Sequence, residues 1–156
     1  MTYTKDDCIR ETKEHIAQVR EFMILFANEL LKRALVHDQS KLESPEVETF
    51  TEFTPKLKDS TYGSDEYKSF LEGMQVALKH HYENNSHHPE HHENGIRDMG
   101  LADIVEMICD WKAATMRHKD GDIRKSIIIN KDRFNYSDDL KLIFLNTANM
   151  FDQINE

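Results

Sequence analysis

Apolar side chains recur at spacings of three and four residues over most of the chain, the pattern of one face of an α-helix. The first such stretch begins near Asp6 and predicts a long helix. Its apolar positions are Ile9, Ile16, Val19, Phe22, Met23, Phe26 and Leu30. Ser44, followed by Pro45 and Glu46, is typical of a helix N-cap with proline in the first turn. It predicts a second helix that ends near Phe53.

A third helix is predicted over residues 64–81, opened by Ser64 with Asp65 and Glu66. Its stripe comprises Tyr67, Phe70, Leu71, Met74, Leu78 and His81. Residues 84–98 have no helical periodicity and contain several helix breakers, so we expect a long loop there. Long ordered loops in compact domains often carry function.

The helical pattern resumes at Leu101 and stops before an acidic turn at 119–122. Its apolar positions are Ile104, Val105, Ile108, Trp111 and Ala114. The turn lacks the other ligands of an EF-hand loop, so we expect no calcium site. A further helix is predicted over 122–131, and Ser137 is expected to cap the last one. That helix carries Leu140, Ile143, Phe144, Phe151 and Ile154. No segment alternates like a strand, so we predict an all-α bundle in a single domain, 1–156.

Composition narrows the classes of function. The 156 residues carry 29 acidic and 20 basic side chains, a formal charge of −9, which argues against binding to duplex nucleic acid. A small phosphorylated substrate remains compatible, since a bound metal can reverse the local field. We expect no membrane span, because no apolar run approaches 18 residues, and no secretory signal at the N-terminus. Two distant cysteines, Cys8 and Cys109, favour a cytoplasmic protein.

Histidine is the residue that points to chemistry. The chain has nine, and six of them lie between His80 and His92. Four places combine imidazole or carboxylate with an inward face, namely His15, His37-Asp38, His80-His81 and Asp110 with Glu106. Each has an ordinary explanation as a hydrogen-bonded core residue, a helix end or a solvated surface. Asp110 fits an ordinary role least, because a carboxylate among apolar neighbours is costly unless paired or metal-bound.

Three segments in this order resemble the HD-domain superfamily of metal-dependent phosphohydrolases, which is all-α. They are ALVHDQSK, HHYENNSHHPE and IVEMICDWKAA. The closest resemblance, over roughly residues 12–150, is to an uncharacterised family of bacterial and phage proteins with HD-S-K, HHPE and E-M-x-x-D-W patterns. The resemblance implies that His15, His37, Asp38 and Asp110 are the primary metal ligands. It also implies one or two divalent ions of Mn, Fe, Co, Ni or Zn.

Further roles follow from the same resemblance. His80, His81 or His88 would hold a second ion, or protonate a leaving group. Glu106 would orient a ligand or, with Asp38 and Asp110, the attacking water. Arg33 and Lys41 would hold the substrate phosphate, with His88 nearby. Trp111 would stack on a base, or else pack in the core.

Two departures from the superfamily bear on this site. Residues 39–79 contain no histidine, so a second ion would need a carboxylate there or the histidines of the loop. His15 and His37 are 22 residues apart, which is about 33 Å along a straight helix. Shared ligation therefore requires the chain to reverse, and we expect a break between Phe26 and Arg33, although no Gly or Pro lies there.

The sequence thus predicts a cytoplasmic phosphohydrolase that acts on a nucleotide or other small phosphate ester. One alternative is a cyclic nucleotide or cyclic dinucleotide phosphodiesterase. Another is a metal-stabilised module that binds a nucleotide or a protein without catalysis, and a third is a helical interaction protein without metal. We also expect an exposed apolar helix face to support a homodimer.

Overall fold

A computed structural model describes residues 2–60, 65–117 and 121–153 of the chain. Within these ranges the structure consists of helices and contains no strand, which confirms the all-α fold class. The α-helices are α1 (Lys5–Val36), α2 (Glu46–Asp59), α3 (Asp65–Gly73), α4 (Gln75–Asn84), α5 (Leu101–Thr115), α6 (Ile123–Phe134) and α7 (Asp138–Gln153). Three short 3-10 helices span Gln39–Leu42, Pro89–His91 and Gly95–Asp98.

The chain divides into two compact units, residues 1–36 and residues 37–156. The single domain over residues 1–156 stays a prediction. No helix in the part of the chain that the structure describes is both long and apolar enough to span a membrane.

The first unit consists mainly of α1, which runs without interruption for 32 residues. The predicted break between Phe26 and Arg33 is therefore wrong. Residues 27–34, ANELLKRA, are mostly strong helix formers, and none of them is a glycine or proline. The side chains of Glu29 and Arg33 also form an ion pair of 3.1 Å across one helical turn, at the place where the break was expected.

The core of the second unit lies among α5, α6 and α7. Its buried members are Met107, Ile108, Ile123, Ile127, Tyr136, Phe144 and Ala148. Trp111 packs against this cluster, with its ring stacked on Phe134 and edge-on to Phe144. The predicted cap at the start of α7 is confirmed, because Oγ of Ser137 accepts the backbone N–H of Leu140 at 3.1 Å.

Several of the predicted helix boundaries need correction. α2 begins one residue later than expected, with Pro45 in place of Ser44 at the N-cap, and it continues beyond Phe53 to Asp59. The helix predicted over residues 64–81 is two helices that meet at Met74, and Ser64 lies outside the described residues. A Cβ on Gly73 would lie 2.6 Å from Cζ of Phe53, so glycine at this junction permits the close approach of α2.

The predicted loop over residues 84–98 is confirmed as a region without α-helix after Asn84, although two 3-10 turns order it. α6 extends to Phe134, three residues beyond its predicted end. The acidic turn lies partly outside the described residues, as do Lys119, Asp120 and Ile154. α4 packs against α2 and the 39–42 turn, and this packing places the loop histidines beside Asp38.

Candidate metal centre

Asp38 lies in a turn that follows α1, and its backbone is in the left-handed region with φ 55° and ψ 18°. Such a conformation disfavours residues with a Cβ, although aspartate tolerates it better than most. Residues held in sparsely populated conformations cluster at functional sites. This turn directs Oδ1 of Asp38 towards α4 and the loop that follows it, where His81 and His87 lie.

Four ligand atoms converge at this point, and we name the group the Asp38 cluster: Asp38, His81, His87 and His88. Oδ1 of Asp38 lies 3.5 Å from Nε2 of His81 and 3.5 Å from Nε2 of His87. The Nε2 atoms of His81 and His88 are 2.9 Å apart. All four ligand atoms lie within 4.8 Å of one another, a spacing that one divalent ion can bridge.

Two atoms of the Asp38 cluster are buried without a hydrogen-bond partner, namely Oδ1 of Asp38 and Nε2 of His87. His87 is only 1% exposed. Leaving a buried polar atom unsatisfied costs about 1–3 kcal/mol, so native proteins rarely leave two of them facing each other. A cation between Oδ1 and Nε2 would satisfy both atoms at once.

Glu46 is hydrogen-bonded to the Nδ1 atoms of two histidines. Its carboxylate is 0% exposed and accepts hydrogen bonds from Nδ1 of His80 at 2.8 Å and Nδ1 of His81 at 2.9 Å. A neutral imidazole that donates from Nδ1 has a free lone pair on Nε2. Glu46 therefore leaves Nε2 of His81 available as a ligand in the Asp38 cluster.

Glu106 plays the same part for two other histidines. Its Oε1 accepts from Nδ1 of His37 at 2.9 Å and lies 3.1 Å from Nδ1 of His87. These three residues form a further convergent group, but Oε1 of Glu106 is already hydrogen-bonded to His37. The effect of Glu106 is to leave Nε2 of His87 directed at Asp38.

Burial determines the charge state of the cluster histidines. It lowers the pKa of His81 and His87, and it lowers the pKa of His88 to about 3. These imidazoles are therefore neutral near pH 7, which is the form that binds metal ions.

His37, Asp38 and Asp110 form a third convergent group on the side of His37. Nε2 of His37 lies 3.8 Å from Oδ1 of Asp110, and this carboxylate raises the pKa of His37 to about 9. Burial opposes the charge on Asp110, but the His37 imidazole and Lys41 outweigh it and lower the pKa of Asp110 to about 2. Oδ2 of Asp38 is itself paired with Nζ of Lys41 at 2.6 Å. The side chains of this group are thus already engaged in ion pairs, whereas in the Asp38 cluster Oδ1 of Asp38 and Nε2 of His87 have no hydrogen-bond partner.

The structure brings together most of the residues that the sequence predicted for the site. His37, Asp38, Lys41, His81, His88, Glu106 and Asp110 all lie in or beside the three groups. His80 donates to Glu46 and belongs to none of the convergent groups found among the described residues. Trp111 packs in the core, which supports the packing role rather than base stacking.

His15 requires a correction, because α1 does not break. It lies 21 residues before Val36 in one continuous helix, about 32 Å along the axis. It therefore cannot share an ion with His37, which follows Val36 directly. Arg33 belongs to α1, and its contact with Glu29 is a pair within that helix.

Two residues of the site were not predicted, His87 and Glu46. His87 precedes His88 in a segment without periodicity, so the sequence offered two adjacent imidazoles and no reason to prefer one. Glu46 was assigned to the start of α2, where acidic residues are common because they favour the helix dipole.

Residues 4–154 match DUF5662, which is described as a family of unknown function. The chain belongs to this family. Among curated proteins and among solved structures, none matches the chain. Membership of DUF5662 assigns no role to any residue, so the resemblance to HD-domain phosphohydrolases stays a prediction.

Proposed function

We propose that this protein is a metal-dependent phosphohydrolase that acts on a nucleotide or other small phosphate ester, with its ion held by the Asp38 cluster. The observation that carries the proposal is the pair of buried atoms without partners, Oδ1 of Asp38 and Nε2 of His87, 3.5 Å apart. Nε2 of His81 and Nε2 of His88, which lie 2.9 Å apart, complete the donor set.

The donor set favours a transition metal. Three imidazole nitrogens and one carboxylate oxygen suit Mn, Fe, Co, Ni or Zn rather than Mg or Ca, which prefer oxygen ligands. When bound, such an ion polarises a phosphoryl oxygen and lowers the pKa of water. That chemistry is the reason why the proposal extends from metal binding to phosphate ester hydrolysis.

Partly exposed side chains around the cluster supply the remaining parts of a hydrolytic site. Asp110 is ionised and partly accessible, so its carboxylate can orient a water molecule. Lys41 is also partly accessible, and its Nζ beside Asp38 places a positive charge where a substrate phosphate would approach. His37, charged through its contact with Asp110, adds a second positive charge on this side.

The first test is metal content, measured by elemental analysis of the untagged full chain. We expect about one transition-metal ion per chain in the wild type and its loss in His87→Ala. His15→Ala is the matched control, because it removes an imidazole from α1 and should leave the metal content unchanged. Equal metal content in His87→Ala and the wild type would refute the Asp38 cluster as the site.

The second test separates an enzyme from a metal-stabilised binding module. The metal-loaded protein is assayed with phosphate monoesters, nucleoside phosphates and cyclic nucleotides, and released phosphate or nucleotide is measured. We expect turnover of at least one class, with loss of turnover and retention of the ion in Asp110→Asn. Full metal occupancy without turnover of any class would overturn hydrolysis and leave the binding module.

A further inference from the structure

Asn85 is a buried polar residue that contributes no ligand atom to the Asp38 cluster. It follows the last residue of α4 and is 8% exposed. Its amide nitrogen Nδ2 donates to Oγ of Ser40 at 2.9 Å and to the carbonyl of His81 at 2.8 Å. Its backbone carbonyl accepts the N–H of His88 at 3.2 Å. Asn85 thus joins the three segments that supply the ligands, namely the turn after Asp38, α4 and the loop.

Both N–H groups of the Asn85 amide are used. An amide NH2 has two donors, and Oγ of Ser40 and the carbonyl of His81 account for both. Nδ2 also lies 3.1 Å from Nδ1 of His81, but that nitrogen donates its own proton to Glu46. The carbonyl of His81 is one of the last four of α4, which lack a partner within the helix. Asn85 therefore caps α4 and bridges it to Ser40 with the same group.

The bridge matters because the ligand atoms of Asp38 and His81 do not attract each other. Oδ1 of Asp38 lies 3.5 Å from Nε2 of His81, and both are acceptors when Nδ1 of His81 donates to Glu46. Their approach therefore depends on contacts outside the Asp38 cluster. The hydrogen bond from Asn85 to Ser40, two residues after Asp38, holds the 39–42 turn against α4. Because Asn85 is buried, water competes little for this bond.

We propose that Asn85 is a positioning residue for the metal site, which fixes the Asp38 ligand relative to His81 by way of Ser40. Asn85 itself does not contact the ion. A site whose ligands are already in place binds its ion more tightly, because binding does not have to order them. The inference rests on the part of the proposed function that places an ion in the Asp38 cluster, and it is independent of hydrolysis.

The test compares Asn85→Ala with Asn84→Ala in the full chain. Asn84 is the matched control, because it is exposed and its Nδ2 donates to the carbonyl of His80 at 2.8 Å, a contact that stays within α4. We expect the Kd for Co²⁺, measured by competition with a chromophoric chelator, to rise about 10-fold in Asn85→Ala and to stay unchanged in Asn84→Ala. The visible spectrum of bound Co²⁺ should change in Asn85→Ala alone, because only there does the ligand geometry relax.

Two variants of Ser40 separate positioning from folding. Ser40→Ala removes the acceptor but leaves the contact of Asn85 with His81, whereas Ser40→Thr keeps a hydroxyl. We expect Ser40→Ala to weaken Co²⁺ binding and Ser40→Thr to bind as the wild type does. The double variant Asn85→Ala/Ser40→Ala should lose no more affinity than Asn85→Ala, because both substitutions remove the same hydrogen bond. If circular dichroism shows that Asn85→Ala is misfolded, the two Ser40 variants decide the question.

The outcomes distinguish this inference from the proposed function. A wild type that binds no ion overturns both. A wild type that binds an ion, with equal Kd and Co²⁺ spectrum in Asn85→Ala and Asn84→Ala, overturns the role of Asn85 alone. Weakened binding in Asn85→Ala with full affinity in Ser40→Ala also overturns it, since the bridge to Ser40 would then have no effect on the site.

Discussion

Glu46 contacts two histidines of the site, yet it contributes no atom to the Asp38 cluster itself. Each of its carboxylate oxygens accepts one hydrogen bond, Oε1 from His80 and Oε2 from His81. Because Glu46 is fully buried, these hydrogen bonds are not in competition with water. The His81 ring is thus fixed in the tautomer and orientation that ligation requires.

Replacing Glu46 by Gln tests this role at nearly constant shape. The amide replaces one of the two accepting oxygens by an NH2 group, which only donates, so it cannot accept at both positions. One histidine must then change tautomer or rotate, and we expect the affinity for Co²⁺ or Zn²⁺ to fall about 10- to 100-fold. Affinity is measured by competition with a chromophoric chelator, and the visible spectrum of bound Co²⁺ reports a change in ligand geometry.

Glu48→Gln is the control for that substitution, because Glu48 is exposed in the same first turn of α2. It should bind the ion as the wild type does. If Glu46→Gln matches Glu48→Gln in affinity and in the Co²⁺ spectrum, Glu46 has no positioning role.

The sequence predicted those residues of the site whose immediate neighbours in the chain indicate a special role. The His37-Asp38 doublet and Asp110 stand out because a carboxylate beside apolar residues needs a partner. His87 and Glu46 do not stand out, because their roles depend on neighbours distant in sequence. Asp38 meets His87 across 49 residues, and Glu46 meets His81 across 35.

Periodicity predicted the helices but not the packing between them. The division between α3 and α4 occurs where Gly73 lies against the ring of Phe53 on α2, a contact that no local pattern encodes. In α1 the opposite error occurred: a break was predicted, so that His15 could reach His37, but the helix is continuous. Local helix propensity prevailed there, because nothing in ANELLKRA interrupts the hydrogen-bond ladder.

The connection between α6 and α7 depends on Tyr136, whose hydroxyl donates to the carbonyl of Ile127 at 2.5 Å. Burial raises the pKa of Tyr136 to about 12, above its ordinary value near 10. The stabilisation from the protonated hydroxyl is therefore complete below pH 10 and is lost as the pH rises through about 12. This follows because the unfolded chain releases the proton first.

Tyr136→Phe removes both the hydrogen bond and the titration. At pH 8 we expect the variant to be less stable than the wild type by about 1 kcal/mol, the usual net value of one hydrogen bond. At pH 11 the difference should be smaller, because only the wild type loses stability through this group. Urea unfolding at the two pH values measures both differences, and a gap that is independent of pH would contradict the assignment.

At the scale of the whole molecule, the Asp38 cluster joins three segments that are separate in sequence. Asp38 precedes the 39–42 turn, His81 belongs to α4, and His87 and His88 lie in the loop after α4. The core among α5, α6 and α7 is built from other residues. An ion in the cluster would therefore cross-link the part of the second unit that this core does not include, and stability should depend on it.

We expect removal of the ion to lower the melting temperature measurably. An ion that binds only the folded chain, at a free concentration about 1,000 times its Kd, stabilises it by about 4 kcal/mol. For a protein of this size each kcal/mol changes the midpoint by about 2–4 °C, so dialysis against EDTA should lower it by about 8–16 °C. Adding back Zn²⁺ or Mn²⁺ should restore the melting temperature.

His87→Ala should melt at one temperature with or without EDTA, whereas His15→Ala should behave as the wild type. A full EDTA effect in His87→Ala would place the stabilising ion elsewhere in the chain.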